Sequence, residues 1–250
     1  MRFAAAMVLA GTVALIPSGV SAQTDDSRFY INVNGAFEPG SQTYADDGTF
    51  RLYDETGRLS VSSEVSSGAV LDVAAGVRVT GGFTVGLGFH RTSSSDAATV
   101  TGAAPHPVFF DRPRAFSQTL DALTRTEQAL HLSVGYVLLL GEKLDVHITA
   151  GPSQFRFAQQ VPGSVTIAET GSALTSVLAT VAVEQRKRNA WGGHVGADFS
   201  YPVFETGATT FRLGAYMRYA AASSDFPVVT NTVTTKLGGV QIGAGVRVRF

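Results

Sequence analysis

In the stretch Val240 to Phe250, VQIGAGVRVRF, apolar residues alternate with polar or small ones up to a final phenylalanine. Val240, Ile242, Ala244, Val246, Val248 and Phe250 share one parity; Gln241, Gly243, Gly245, Arg247 and Arg249 share the other. Successive side chains of a strand point to opposite faces. A period of two therefore marks a strand with one apolar and one polar face.

Read backwards from the tail, the pattern recurs over 29–37, 69–79, 83–90, 130–138, 144–151, 191–201 and 211–219. That makes eight strands, most near the ~9–11 residues a tilted strand needs to cross a membrane. Between them, long connections (38–68, 92–126, 156–188, 220–236) alternate with short ones (Thr80-Gly81-Gly82, Gly141-Glu142, 202–209). The expected fold is all-β: a closed antiparallel up-and-down transmembrane β-barrel of eight strands, with short periplasmic turns and long external loops. Within the loops, Asp46-Asp47-Gly48 and Glu55-Thr56-Gly57 read as hairpin turns. Ser164–Glu169 and Val177–Glu184 alternate again and read as strands five and six continuing above the membrane. A ten-stranded barrel or a short helix at 174–184 are the alternatives.

Alternation alone does not say which face is outside, since a soluble barrel alternates too. The polar face carries Gly76, Gly86, Gly88, Gly135, Gly151, Gly192, Gly196, Gly214, Gly243 and Gly245 beside a few charges of both signs. Small residues next to long arginines suit a narrow interior that must be filled. The three lysines, Lys143, Lys187 and Lys236, all avoid the spanning stretches. Aromatics gather at strand ends. Phe29, Phe83, Phe199, Tyr201, Phe211 and Phe250 fall near the short turns, and Phe37, Phe89, Trp191 and Tyr219 near the long loops. Two girdles around an aliphatic band match two membrane interfaces, so the apolar face is expected to meet lipid.

Residues 1–22 read as a cleaved secretory signal: Arg2, an apolar run from Phe3 to Ile16, and Val20-Ser21-Ala22 at the cleavage site. A short segment, 23–27, then precedes a barrel domain over 28–250. Cysteine is absent, which excludes disulfides, thiolate chemistry and N-terminal lipid attachment. A net charge of −1 gives no reason to expect nucleic acid as a partner.

With these features in place, the chain resembles the small eight-stranded outer-membrane barrels, the architecture of outer membrane proteins A, X and W. In that family the last strand carries a signal read by the outer-membrane assembly machinery; Gly245, Val248 and Phe250 match it, while Gly243 stands where a polar residue is usual. The resemblance implies the outer membrane of a Gram-negative-type bacterium, with its lipid and lipopolysaccharide as surroundings. No residues follow Phe250 to form a peptidoglycan-binding domain, so anchoring of that kind is not expected.

Candidate chemistry sits on the inward parity. Asp72, Arg78, Asp145, Asp198, Arg212, Arg218 and Arg247, with His131, His147 and His194, are expected to form a polar network that fills the lumen, since an eight-stranded barrel is just wide enough for side chains and buried charges persist only when paired. Arg249 belongs to the same interior set, facing inward or the periplasmic rim. Three histidines suffice for zinc, but separate places in the network are the expectation, with no metal or cofactor. His131-Leu132-Ser133 resembles the His-x-Ser pair of outer-membrane lipid A deacylases; its parity points into the lumen, away from lipid, so no catalytic residue is assigned. Among loop charges, Arg112 with Arg114 and Arg186-Lys187-Arg188 are small basic clusters; the latter sits just above strand six, where it could meet anionic lipopolysaccharide, and simple solvated loop charge is the alternative. The reading is a non-enzymatic barrel scaffold with a filled lumen and external loops for surface interaction, the loop ligand being undefined. A narrow channel or small-solute transporter is the second reading and a lipid A-modifying enzyme the third.

Overall fold

The computed structural model describes residues 27–39, 42–65, 68–141, 143–171, 174–227 and 232–250. The expected signal at 1–22, and all of the 23–27 segment but Ser27, lie outside them. Among the described residues the chain forms β1 (Phe29–Glu38), β2 (Gln42–Leu52), β3 (Glu55–Val65), β4 (Gly68–Thr80), β5 (Phe83–Ala104), β6 (Arg114–Leu140), β7 (Leu144–Thr170), β8 (Ser176–Thr206), β9 (Thr209–Pro227), β10 (Thr232–Leu237) and β11 (Val240–Arg249).

Eight of these close a ring in the order β1-β4-β5-β6-β7-β8-β9-β11, each pair antiparallel. The seam joins β1 to β11, from Tyr30 opposite Arg249 to Phe37 opposite Ile242. It ends in two backbone hydrogen bonds: Phe29 N–H to Phe250 O at 2.8 Å and Phe250 N–H to Phe29 O at 3.1 Å. Closure satisfies backbone groups that an open sheet would leave at its edges. The remaining strands stand outside the ring. β2 and β3 form a hairpin that adds to the upper part of β5, with Arg58–Ser63 opposite Ala98–Ala103, and β10 folds back on β9. The ten-stranded alternative therefore does not hold. Nor does a helix at 174–184, because Ser176 onward is strand.

The three short turns turn on Gly81, Gly141 and Gly207, with φ of 53°, 70° and 57°. That left-handed region carries no Cβ clash for glycine. The β2–β3 hairpin turns differently from its glycine signals. Asp46-Asp47-Gly48 run straight through β2 opposite Val61, Ser60 and Leu59, and Glu55-Thr56-Gly57 open β3. The turn is Tyr53-Asp54, both left-handed (φ 53° and 61°), held by Arg51 Nη2 donating to Asp54 O at 2.9 Å. Tertiary contacts override the local preference for glycine.

β5, β6, β7 and β8 run to 22, 27, 27 and 31 residues, well past the length a membrane needs. The segment 92–126 is thus mostly strand, not loop, and in 156–188 strands five and six continue above the membrane through Ser164–Glu169 and Val177–Glu184, as expected. The last β6–β7 pair is Arg125 opposite Gln159. Beyond it the sheet divides into two leaves, β2-β3-β5-β6 and β7-β8. A bulge marks the same level. The β5–β6 register slips between Asp96 and Ala98, and Ala122 has φ 58°. Below the bulge Leu123, Arg125 and Glu127 point inward; above it the parity shifts and Phe116 does. An extra residue on one strand bends it, and here the bend lets the leaves face each other. Leu59, Val61, Val100, Ala104 and Phe116 of one leaf pack on Ala179 and Val181 of the other. The result is a small two-layer dome on the long-loop end of the barrel.

Candidate functional site

The barrel interior is built from the inward parity of the eight ring strands, and its charges come in pairs. Nearest the short turns, Asp145 accepts from Arg212 at 2.9 Å and from Arg249. Arg212 also donates to Ser200 Oγ at 3.1 Å and Lys143 O at 2.8 Å. One step along, Arg247 forks onto Asp198, with Nε at 3.0 Å from Oδ1 and Nη2 at 2.6 Å from Oδ2. Further up, Asp72 meets Arg218 at 2.7 Å and accepts from Asn34 Nδ2 at 2.9 Å. The lumen is largely cut off from water, where a charge without a partner costs several kcal/mol. Room for the guanidinium of Arg247 exists because Gly214 lies beneath it: a Cβ there would stand 2.9 Å from Arg247 Nε and 2.2 Å from Phe199 O. Tyr30 uses Gly76 and Gly86 in the same way.

All ten residues expected in the polar network line or border the lumen, but not as one cluster. Arg78 borders a cavity of about 20 Å3 beside Arg247 and Arg249. Arg249, expected inward or at the periplasmic rim, is buried as the second partner of Asp145. The histidines separate. His147 sits low, against Thr84 Oγ1 at 2.8 Å and edge-on to Tyr30. His131 and His194 meet higher up, and the third imidazole there is His90. The stagger between tilted strands puts like parities at unlike depths. A chain of contacts runs His90 Nδ1 to His131 Nε2 (2.8 Å), His131 Nδ1 to Ser153 Oγ (2.7 Å), Ser153 Oγ to His194 Nδ1 (2.9 Å) and His194 Nε2 to Ser133 Oγ (3.0 Å). Ser133 thus partners His194 rather than His131, and the His131–Ser133 pair does not form. Among the described residues no group of three or more His, Asp or Glu is arranged to hold a metal ion.

The space left in this network is a cavity of about 50 Å3, bordered by Asn34, Asp72, His131, His194 and Arg218 among others. It has room for a few waters and not for an acyl chain or a sugar. Above it an apolar cluster shares the lumen with the buried Arg125–Glu127 pair (3.2 Å). Phe155 and Phe157, fully buried, pack with Ala129, Val161, Ala190, Ala220 and Leu237. Phe155 lies over His90 and His131, and Arg125 over the ring of Phe157 at 5.5 Å. This stopper was missed from sequence. Its signal was the alternation of Phe155 and Phe157 with polar Gln154 and Arg156, in a stretch read mostly as loop.

The outer surface at the ring carries the expected aromatics. Phe29, Phe83, Phe199, Tyr201, Phe211 and Phe250 are exposed at the short-turn end, and Phe37, Phe89, Trp191 and Tyr219 at the other. Phe29 stacks on Phe250 across the seam, with ring centroids 5.9 Å apart. Gly245 and Val248, the other matched positions of the last strand, pair with Asn34 and Ile31.

At the dome's far end the expected basic pair comes apart. Arg114 is buried and ties three connections together. It donates to Pro105 O at 2.7 Å and Leu174 O at 2.9 Å and forks onto Glu169, which also accepts from Tyr53 Oη at 2.8 Å. The Arg114 hydrogen bonds hold the Glu169 carboxyl down at about 2. In turn the Glu169 carboxylate raises the Tyr53 phenol. Arg112 stays outside, over the ring of Phe109 at 5.6 Å. In the other cluster Arg186 pairs with Glu184 at 2.6 Å, while Lys187 and Arg188 are exposed.

No protein-family model and no curated protein matches the chain. Among solved structures, Neisserial surface protein A is 14% identical, covering 89% of this chain and 97% of that one, with a TM-score of 0.42. The outer membrane protein OprG from Pseudomonas aeruginosa is 11% identical over 90% of this chain and 96% of its own (TM-score 0.43). The outer membrane protease OmpT from Escherichia coli is 11% identical over 92% and 100% (TM-score 0.38). At such scores the eight-stranded closure stands on the chain's own strand pairing.

Proposed function

We propose that this protein is a non-enzymatic outer-membrane barrel that carries a folded dome outside the cell, its lumen serving as filling. The carrying observation is the inverted polarity of the ring: exposed Leu, Val, Ile and Phe surround an interior of paired charges. In water that arrangement would expose far more apolar surface than a monomer tolerates. In lipid it satisfies both faces. The aromatic rows then lie at the two interfaces, and the dome stands on the outer side because long connections belong there. Lys187 and Arg188 lie four and three residues above Trp191 on β8, at the height where lipopolysaccharide phosphates would meet them. Gly245, Val248 and Phe250 would serve as the sequence read by the assembly machinery.

The ion pairs and the Phe155–Phe157 stopper support a closed lumen, and the 50 Å3 cavity leaves no substrate room for Ser133 or Ser153 as nucleophiles. Single-channel recording in planar bilayers tests this reading. The expected trace is flat, and large stable open steps from the purified barrel would replace the scaffold with a channel. Recovery of the mature protein in the soluble periplasmic fraction would remove the membrane assignment itself.

A further inference from the structure

We propose that the tip of the dome, Val108-Phe109-Phe110, inserts into the surface of a second lipid bilayer. The three side chains are exposed to 64%, 54% and 74% in the connection that leaves the ring-distal end of β5, whereas the rest of the dome keeps its large apolar groups mostly inside. A solvated turn has no need of two adjacent phenylalanines in water, where each holds apolar area that burial would stabilise.

The tip is built to hold its shape. Pro105, Pro107 and Pro113 restrict the backbone on both sides. Arg114 fastens Pro105 O to the β7–β8 leaf, so the tip rises from a clamped base. His106 Nδ1 accepts from the backbone N–H of both Val108 (3.1 Å) and Phe109 (3.2 Å), and its ring leans on Phe109 at 4.9 Å between centroids.

These features favour lipid over a protein groove. Entering hydrocarbon exposes backbone N–H groups to a medium that cannot bond them, at a cost of several kcal/mol each. Two of them are already satisfied within the tip. The apolar group is three consecutive exposed side chains of one turn, which a fluid surface receives without a matching cavity. Arg112, stacked beside Phe109, is placed to keep its guanidinium at headgroup level while its stem follows the ring inward. The dome's own membrane is out of reach, because the whole length of the extended leaves lies between. The bilayer met is therefore that of another cell or vesicle. The inference rests on the barrel being embedded with its dome outside.

The chain lacks cysteine, so Val108→Cys gives a single attachment point for an environment-sensitive fluorophore. The labelled barrel is placed in nanodiscs and mixed with phosphatidylcholine vesicles carrying a spin-labelled quencher lipid, with empty nanodiscs as the control. Failure to enter nanodiscs, or loss of heat-modifiable migration, counts against the embedded barrel before any vesicle is added. With the barrel embedded, the expected result is a blue-shifted emission that the spin-labelled lipid quenches. Phe109→Ser with Phe110→Ser should weaken vesicle binding on the order of tenfold or more, and leucine at both positions should restore most of it. An emission indifferent to vesicles overturns the proposal, and is also what a tip shaped for a protein groove would give. Equal binding by the serine and parent proteins overturns it as well.

Discussion

The barrel and the dome are two filled interiors on the same strands, and their polarity is opposite. On β5, Phe83, Val85, Leu87 and Phe89 face out while Thr84 and His90 are buried. A few residues later Ala98 and Val100 are buried, and Thr99 and Thr101 face out. The medium outside decides which parity is apolar. Where lipid surrounds the ring, the interior takes the charges and must pair them. Where water surrounds the leaves, the interior takes Leu59, Val61, Val100 and Phe116 like an ordinary sandwich core. The level at which the polarity inverts, between His90 and Ala98 on β5, marks where the membrane ends.

That contrast sets what should break each half. The largest effect belongs to the lumen. Asp145→Ala leaves Arg212 and Arg249 facing each other without their shared carboxylate. The expected loss is ~3–5 kcal/mol of barrel stability, read as a lower urea midpoint in micelles. An unchanged midpoint would mean the lumen is wet enough to screen them. Next comes outward polarity. Leu87→Arg should cost ~2–4 kcal/mol at mid-belt, while Thr101→Arg, outward on the same strand but above the inversion, should stay within about 0.5 kcal/mol. Equal costs would erase the boundary. In the dome, Leu59→Ala should cost about 2–3 kcal/mol locally. Protease should then cut within the leaves while the barrel keeps its heat-modifiable migration, separating the two interiors as cooperative units.

The smallest effect is a pH dependence at the clamp. Glu169 titrates near 4.5 in the unfolded chain and at about 2 when bonded to Arg114. A depressed carboxyl adds stability that is complete above 4.5 and is lost as pH falls toward 2. Tyr53, raised above 10, contributes the opposite limb and loses it at alkaline pH. Because these groups are near the surface, the contribution is modest. Amide protection at 105–111 should fall between pH 5 and pH 2.5 while protection in the ring strands holds, and a flat profile would show that the clamp bears no load.

Much of the ring was legible in the sequence, because eight runs of period two and alternating connection lengths leave few other closures. Residue parity also placed Asp72, Asp145, Asp198, Arg212, Arg218 and Arg247 in the lumen. Depth was not legible. Strand stagger, which parity does not encode, put His90 rather than His147 beside His131 and His194. The stopper and the dome were hidden for a different reason. Above the ring the apolar parity turns inward, so Phe155, Phe157 and Val100 break the apolar-outward pattern that marks the spanning strands. The bulge at Asp121–Ala122 also shifts the phase of β6 partway along. The β2–β3 turn had no glycine to announce it.

The seam between Phe29 and Phe250 has a kinetic consequence. Every other junction in the ring joins strands close along the chain, with at most the β2–β3 hairpin or β10 between them, and several are simple hairpins that local search can find. β1 and β11 come from opposite ends of the chain, so their encounter closes the longest loop available. Contacts of that separation are the slow ones in folding. Until they form, the molecule is an open sheet with two unpaired edges, each able to capture a strand from elsewhere. The time between hairpin formation and the meeting of those two phenylalanines is when this chain is most exposed to misassembly.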